Sequence, residues 1–221
     1  MLLIFSCGRS GTNLCLEMFV DHYVYRPSFY PEDKLLFDKE DCEVSYLTKS
    51  DSVYCRSSKH FIDFMHRVPH CKVLWTVRRV EDWAMSKIYR GWNRADDATF
   101  KGCSEDFYHM FSIYKKAIEL FPDRIKIVKM EDIILDIQKV AKDLSEWLGI
   151  NFENSMLTPY LRMRHKGKRT RYNKLDKSQL DRYKDWENLY DGFFVKNKLD
   201  MKTLFIKLQY INKEFGYDTI R

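Results

Sequence analysis

Met1-Leu2-Leu3-Ile4-Phe5-Ser6-Cys7-Gly8-Arg9-Ser10-Gly11-Thr12-Asn13 opens the chain, and an amphipathic segment begins at Leu14. A short apolar run, a glycine-punctuated turn and a helix follow one another in the order of a strand, a phosphate-binding loop and a helix N-terminus. Gly8 and Gly11 let the backbone curl so that successive N–H groups point inward, and the helix adds its positive end. The stretch therefore reads as an anion-binding loop in an α/β fold.

The loop departs from a nucleotide-kinase P-loop, which needs Gly-Lys-Ser/Thr where this one has Gly11-Thr12-Asn13. Its one cation is Arg9. A kinase holds Mg²⁺ with the loop hydroxyl and an Asp at a neighbouring strand end. Here the next convincing strand, Lys72-Val73-Leu74-Trp75-Thr76-Val77, runs into Arg78-Arg79. That strand end suits a second phosphate and not a metal. Cysteines at 7, 15, 42, 55, 71 and 103 show no paired metal spacing, so buried free thiols and no metal site are expected.

These residues carry a family resemblance. Gly8-Arg9-Ser10-Gly11-Thr12 resembles the 5′-phosphosulfate loop, Lys/Arg-Ser-Gly-Thr, of the sulfotransferases that use 3′-phosphoadenosine 5′-phosphosulfate (PAPS). Arg78, then Arg79-Val80-Glu81-Asp82-Trp83, then Ser86 is similar to their second signature, an Arg and a Ser eight residues apart that contact the 3′-phosphate. Arg124-Ile125-Lys126-Ile127-Val128-Lys129-Met130-Glu131-Asp132-Ile133-Ile134-Leu135-Asp136 resembles their strand and Tyr-Glu-Asp-Leu pattern, with Met130 in the place of Tyr, and runs on into Leu144 to Gly149. The three blocks cover roughly residues 1–150.

The resemblance implies a three-layer α/β/α fold with a central parallel sheet and a P-loop-like loop, and a donor site for PAPS without a metal. By it, Arg9 stabilises charge on the oxygen bridging sulfur and 5′-phosphate. The N–H groups of residues 8–13, with Ser10, Thr12 and Asn13, hold the 5′-phosphate, and Arg78 and Ser86 clamp the 3′-phosphate. Glu131 and Asp132 are expected to cap the helix that follows their strand. Cytosolic relatives take the acceptor's proton with a His that closes a strand in a Lys-Ser-His context, which nominates His60. Trehalose-type relatives use a Glu after Gly-Arg-Pro, and Tyr25-Arg26-Pro27-Ser28-Phe29-Tyr30-Pro31-Glu32 nominates Glu32. Within the basic run Arg162 to Arg171, Lys166 and Gly167 resemble the Arg-Lys-Gly turn that closes over the 3′-phosphate.

Composition fits this picture. The 221 residues, 45% apolar and without low-complexity tracts, make one domain over 1–221. A net charge of +6 suits anionic partners, although the excess is local to 162–174. Five apolar residues are too few for a secretory signal or a span, so a cytoplasmic location is expected.

Alternating patterns give strands at 1–6, 52–55, 72–77 and 124–130, and helices at about 12–23, 59–67, 81–90, 104–121, 134–148, 177–187 and 200–213. Residues 24–51 and 91–103 read as irregular excursions. The expected activity is sulfuryl transfer to a hydroxyl or amine of a small molecule or glycan, with no nucleic-acid partner. The competing readings are a divergent P-loop nucleotide or sugar kinase and an inactive nucleotide-binding module of the same fold. Oligomeric state is left open, since Lys198 to Phe215 fits a packed terminal helix better than a dimer seam.

Overall fold

The computed structural model describes residues 1–89, 97–159, 164–165, 168–169, 175, 180 and 198–217. Its centre is a five-stranded sheet of β1 (Leu2–Ser6), β2 (Arg26–Glu32), β3 (Tyr46–Asp51), β4 (Lys72–Val77) and β5 (Ile125–Lys129), all parallel and ordered β2-β3-β1-β4-β5. A strand covered on both faces cannot alternate apolar with polar residues. Leu2, Leu3, Ile4 and Phe5 accordingly all lie at 0% exposure.

Helices form the outer layers. Against one face pack α2 (Ser58–Arg67), α3 (Val80–Tyr89), α4 (Asp97–Leu120) and the terminal helix α7 (Lys198–Glu214), with Phe5, Trp75, Phe61, Trp83, Phe107 and Phe205 in a shared core. Against the other pack α1 (Thr12–Glu17), α5 (Met130–Leu135) and α6 (Ile137–Leu148), where Ile4, Leu74 and Val128 meet Leu14, Phe19, Ile133 and Leu144. The three-layer architecture expected from the sequence is present.

The element bounds depart from expectation in instructive places. The segment 24–51 holds two strands, β2 and β3, and residues 52–54, expected in a strand, form a 3-10 turn after β3. Pro27 and Pro31 disguise β2 but are tolerated because it is an edge strand. The helix expected over 12–23 ends at Glu17, and that expected over 134–148 is two helices divided at Asp136, whose carboxylate accepts the Lys139 N–H at 3.0 Å as a new cap. The helix expected from 104 begins at Asp97.

Residues 164–165 and 168–169 form a short antiparallel pair, β6 (Arg164–His165) and β7 (Lys168–Arg169). Lys166 and Gly167 lie outside the described residues, as does most of the helix expected at 177–187. Cys7, Cys15, Cys42, Cys55 and Cys71 are buried free thiols, and burial pushes Cys55 and Cys71 up to about 12.

Candidate functional site

The site lies at the carboxyl ends of β1, β3 and β4. Between β1 and α1 the loop puts Arg9 at φ 80° and Gly11 at φ 93°. Left-handed residues interleaved with ordinary ones turn successive N–H groups to one side, which makes an anion-binding concavity. Since α1 has six residues, the loop's own N–H groups and side chains are the main donors, and the helix contributes less than a 12-residue helix would. Gly11 is demanded twice. Its φ is left-handed, and a Cβ there would stand 3.1 Å from Met130 Cβ and Cγ.

Side chains lock this loop to its neighbours. Ser10 Oγ and Thr76 Oγ1 of β4 share a hydrogen bond of 2.8 Å, and the Trp83 indole N–H of α3 donates to Gly8 O at 2.7 Å. Arg9 Nε donates to Ser86 Oγ at 3.0 Å, joining residues 77 positions apart. The first and second sequence signatures thus share one site. Thr12 and Asn13 lie at the start of α1, Thr12 buried and Asn13 half-buried.

Arg78 follows β4 directly and is 5% exposed. Its turn is braced from two sides. Glu131 of α5 accepts the Arg79 N–H at 3.0 Å and the Tyr217 hydroxyl at 2.7 Å, and Asn212 of α7 accepts the Val80 N–H at 2.8 Å while donating to Glu81 at 2.7 Å. The sequence expectation that Glu131 caps the helix after its own strand is therefore not met. The cap position there, Lys129, makes no side-chain capping bond, and Glu131 supports the neighbouring turn instead. Burial, reinforced by Glu131, raises the Tyr217 hydroxyl well above the ordinary tyrosine range, so it stays a donor.

His60 and Glu32 stand in different surroundings. His60, in the first turn of α2, accepts the Arg56 N–H at Nδ1 (3.2 Å) and faces Asp38 through Nε2 at 3.2 Å. Both ring nitrogens are thereby engaged. Glu32 ends β2, where the Lys49 ammonium approaches its carboxylate at 3.4 Å.

A second acid was not nominated from the sequence. Asp51, the last residue of β3, is paired in register with Ser6, the residue that leads into the loop. Burial raises its carboxyl above the ordinary range, Lys87 and the Val53 N–H pull it down, and Glu32 and Asp106 push it back up, with a net rise. Lys87 is 3% exposed and ion-paired with Asp106. Burial acts against its ammonium, but Cys7, Asp106 and Asp51 outweigh that and hold its pKa above the ordinary lysine range. The available signal was Lys49-Ser50-Asp51 closing a strand, a Lys-Ser-His context with Asp in the last place.

Comparison with known proteins follows from this geometry. The structure is similar over 100% of its length to the sulfotransferase domain from the curacin biosynthetic pathway (TM-score 0.69, 14% identity, 98% of that chain). It is likewise similar to the sulfotransferase domain of the Synechococcus PCC 7002 olefin synthase (TM-score 0.65, 16% identity, 100% of this chain and 95% of that one). The fold is that of the sulfotransferases. Mouse sulfotransferase SULT7A1 complexed with PAP shares the sulfotransferase fold at TM-score 0.57 and 14% identity, over 94% of this chain and 83% of that one. No family model and no curated protein matches the sequence. Among the described residues of this sulfotransferase fold, no helix is long and apolar enough to cross a membrane.

The residues present fit a nucleotide with phosphates at both 3′ and 5′ positions. Arg9, Ser10 and the curled loop follow β1, and Arg78 and Ser86 follow the neighbouring β4, with Arg9 and Ser86 hydrogen-bonded. Ser6 Oγ, fully buried where β1 enters the loop, has no hydrogen-bond partner among the described residues.

Proposed function

We propose that the protein transfers a sulfuryl group from PAPS to a hydroxyl or amine of a small-molecule or glycan acceptor, acting as one domain over residues 1–221. The observation that carries this reading is the convergence of Arg9, Ser10, Arg78 and Ser86 at the ends of β1 and β4, with an arginine where a kinase needs a metal-holding acid. The mouse neighbour, solved with PAP, supports the same choice of nucleotide.

Bound at this site, the donor supplies a sulfuryl group activated by its link to a phosphate. A sulfuryl group carries less charge than a phosphoryl group, so side-chain cations suffice where phosphoryl transfer recruits Mg²⁺. The N–H groups of residues 8–13, with Ser10, Thr12 and Asn13, hold the 5′-phosphate. Arg9 takes up the negative charge that develops on the bridging oxygen. Arg78 and Ser86 hold the 3′-phosphate, with Lys166 and Gly167 closing over it.

Calorimetric titration with 3′,5′-adenosine bisphosphate, and separately with ATP plus Mg²⁺, tests the assignment. The expected result is bisphosphate binding that is indifferent to Mg²⁺. Binding of Mg²⁺-ATP alone would replace the assignment with a divergent kinase.

A further inference from the structure

We propose that Asp51 accepts the proton of the acceptor group. The claim rests on the sulfuryl-transfer reading and fills the role that reading leaves vacant.

Topology sets Asp51 on the acceptor side. In the order β2-β3-β1-β4-β5 the loop follows β1, and Arg78 and Ser86, assigned to the 3′-phosphate, follow β4. The nucleotide then extends from β1 toward β4. In-line displacement brings the acceptor in opposite the leaving phosphate, over the end of β3. Asp51 is the residue at that end, level with Ser6 across the strand pair. Its carboxylate is oriented by the Val53 N–H at 3.3 Å and approached by the Ser52 hydroxyl at 3.5 Å. Both fall on Oδ1, so among the described residues Oδ2 is the oxygen that remains to receive a proton.

Its surroundings suit a carboxylate that gains and loses a proton easily. Lys87 of α3, Asp106 of α4 and Glu32 of β2 are the charged side chains whose fields reach it. Of the three carboxylates, Asp106 is ion-paired with Lys87 and Glu32 with Lys49. Burial is the largest influence on the Asp51 carboxyl and raises it, and Lys87 offsets this only in part. Lys87 immediately follows Ser86 on α3, so one helix turn places the 3′-phosphate hydroxyl and the cation that limits the rise at Asp51. His60 has both ring nitrogens engaged, at Asp38 and Arg56, and no vacant nitrogen for this step.

The step balances simply. The acceptor oxygen or nitrogen forms its bond to sulfur as the bond between sulfur and the 5′-phosphate oxygen breaks. The electron pair leaves with the phosphate, the acceptor's proton passes to Asp51, and Asp51 returns it to water.

Carboxyl ¹³C titration by NMR, with the Asp51 signal assigned by its loss in Asp51→Asn, tests this on the full chain. The expected midpoint lies above the ordinary value of 3.8, rises when 3′,5′-adenosine bisphosphate is bound, and rises in Lys87→Met because the ammonium holds it down. In parallel, Asp51→Asn should slow PAPS consumption, with water as acceptor, by about 100-fold or more, while bisphosphate affinity stays within about threefold. An ordinary midpoint unmoved by the bisphosphate, or a loss of PAPS consumption confined to His60→Gln or Glu32→Gln, would overturn the assignment. A wild-type chain that fails to bind the bisphosphate would remove the sulfuryl-transfer reading itself, a distinguishable failure.

Discussion

Asn212 ties the terminal helix to the turn that carries Arg78, and its loss should be felt in both stability and nucleotide binding. The side chain is 1% exposed, accepts the Val80 N–H at 2.8 Å and donates to the Glu81 carboxylate at 2.7 Å. Asn212→Ala deletes one neutral hydrogen bond and one to a charged group, and leaves a buried N–H and a buried carboxylate oxygen without partners. Neutral bonds contribute about 0.5–1.5 kcal/mol and charge-assisted ones about 1.5–3, so the loss should be roughly 2–4 kcal/mol. Glu81 amplifies it, since its other oxygen already lacks a partner among the described residues. Urea unfolding measures the effect, and Tm should fall by roughly 5–15 °C for a chain of this size. Glu81→Gln in the Asn212→Ala background should recover part of the loss by removing the buried charge. A loss below about 1 kcal/mol, with bisphosphate affinity unchanged, would refute the view that α7 holds this turn.

Gly11→Ala should cost about 1–2 kcal/mol from the left-handed φ alone and should weaken bisphosphate binding by calorimetry, because the new methyl, 3.1 Å from Met130, presses the loop out of place. Trp83→Phe removes the indole donor to Gly8 O; a stability loss of about 1–3 kcal/mol by urea unfolding, together with weaker bisphosphate binding, is expected. The sign at Asp51 is opposite. Its folded pKa lies above the ordinary 3.8, so the folded state loses stability as pH rises through that interval. Asp51→Asn should therefore raise Tm at pH 7, with the gain vanishing below pH 3.8 in thermal scans across pH.

Parts of the molecule whose chemistry is local were legible in the sequence. The apolar run of β1 and its glycine loop, β4 with its arginines, and β5 all follow from short-range pattern. The β2 and β3 strands did not, because Pro27 and Pro31 interrupt one and Thr48-Lys49-Ser50-Asp51 gives the other a polar carboxyl end that faces the site. Asp51 is hidden for the same reason: within a segment whose pattern is irregular, a strand-end acid looks like an ordinary loop residue. The Asn212–Glu81 contact and the Glu131 brace join residues far apart in sequence, and no periodicity announces such pairs. The fate of the Glu131 carboxylate illustrates this, since an acid in the first turn of a helix reads as a local feature until the fold brings the Arg79 N–H to it.

The 3′-phosphate is what separates PAPS from ordinary adenine nucleotides, and Arg78 is the residue assigned to it. Calorimetry of the wild type and of Arg78→Ala, each against 3′,5′-adenosine bisphosphate and adenosine 5′-phosphate, tests that assignment most directly. The wild type should prefer the bisphosphate by about 10–100-fold, the equivalent of a charge-assisted contact, and Arg78→Ala should lose most of that preference, keeping only what Ser86 and Lys166 supply. Equal affinity of the wild type for both nucleotides, or an undiminished preference in Arg78→Ala, would contradict it.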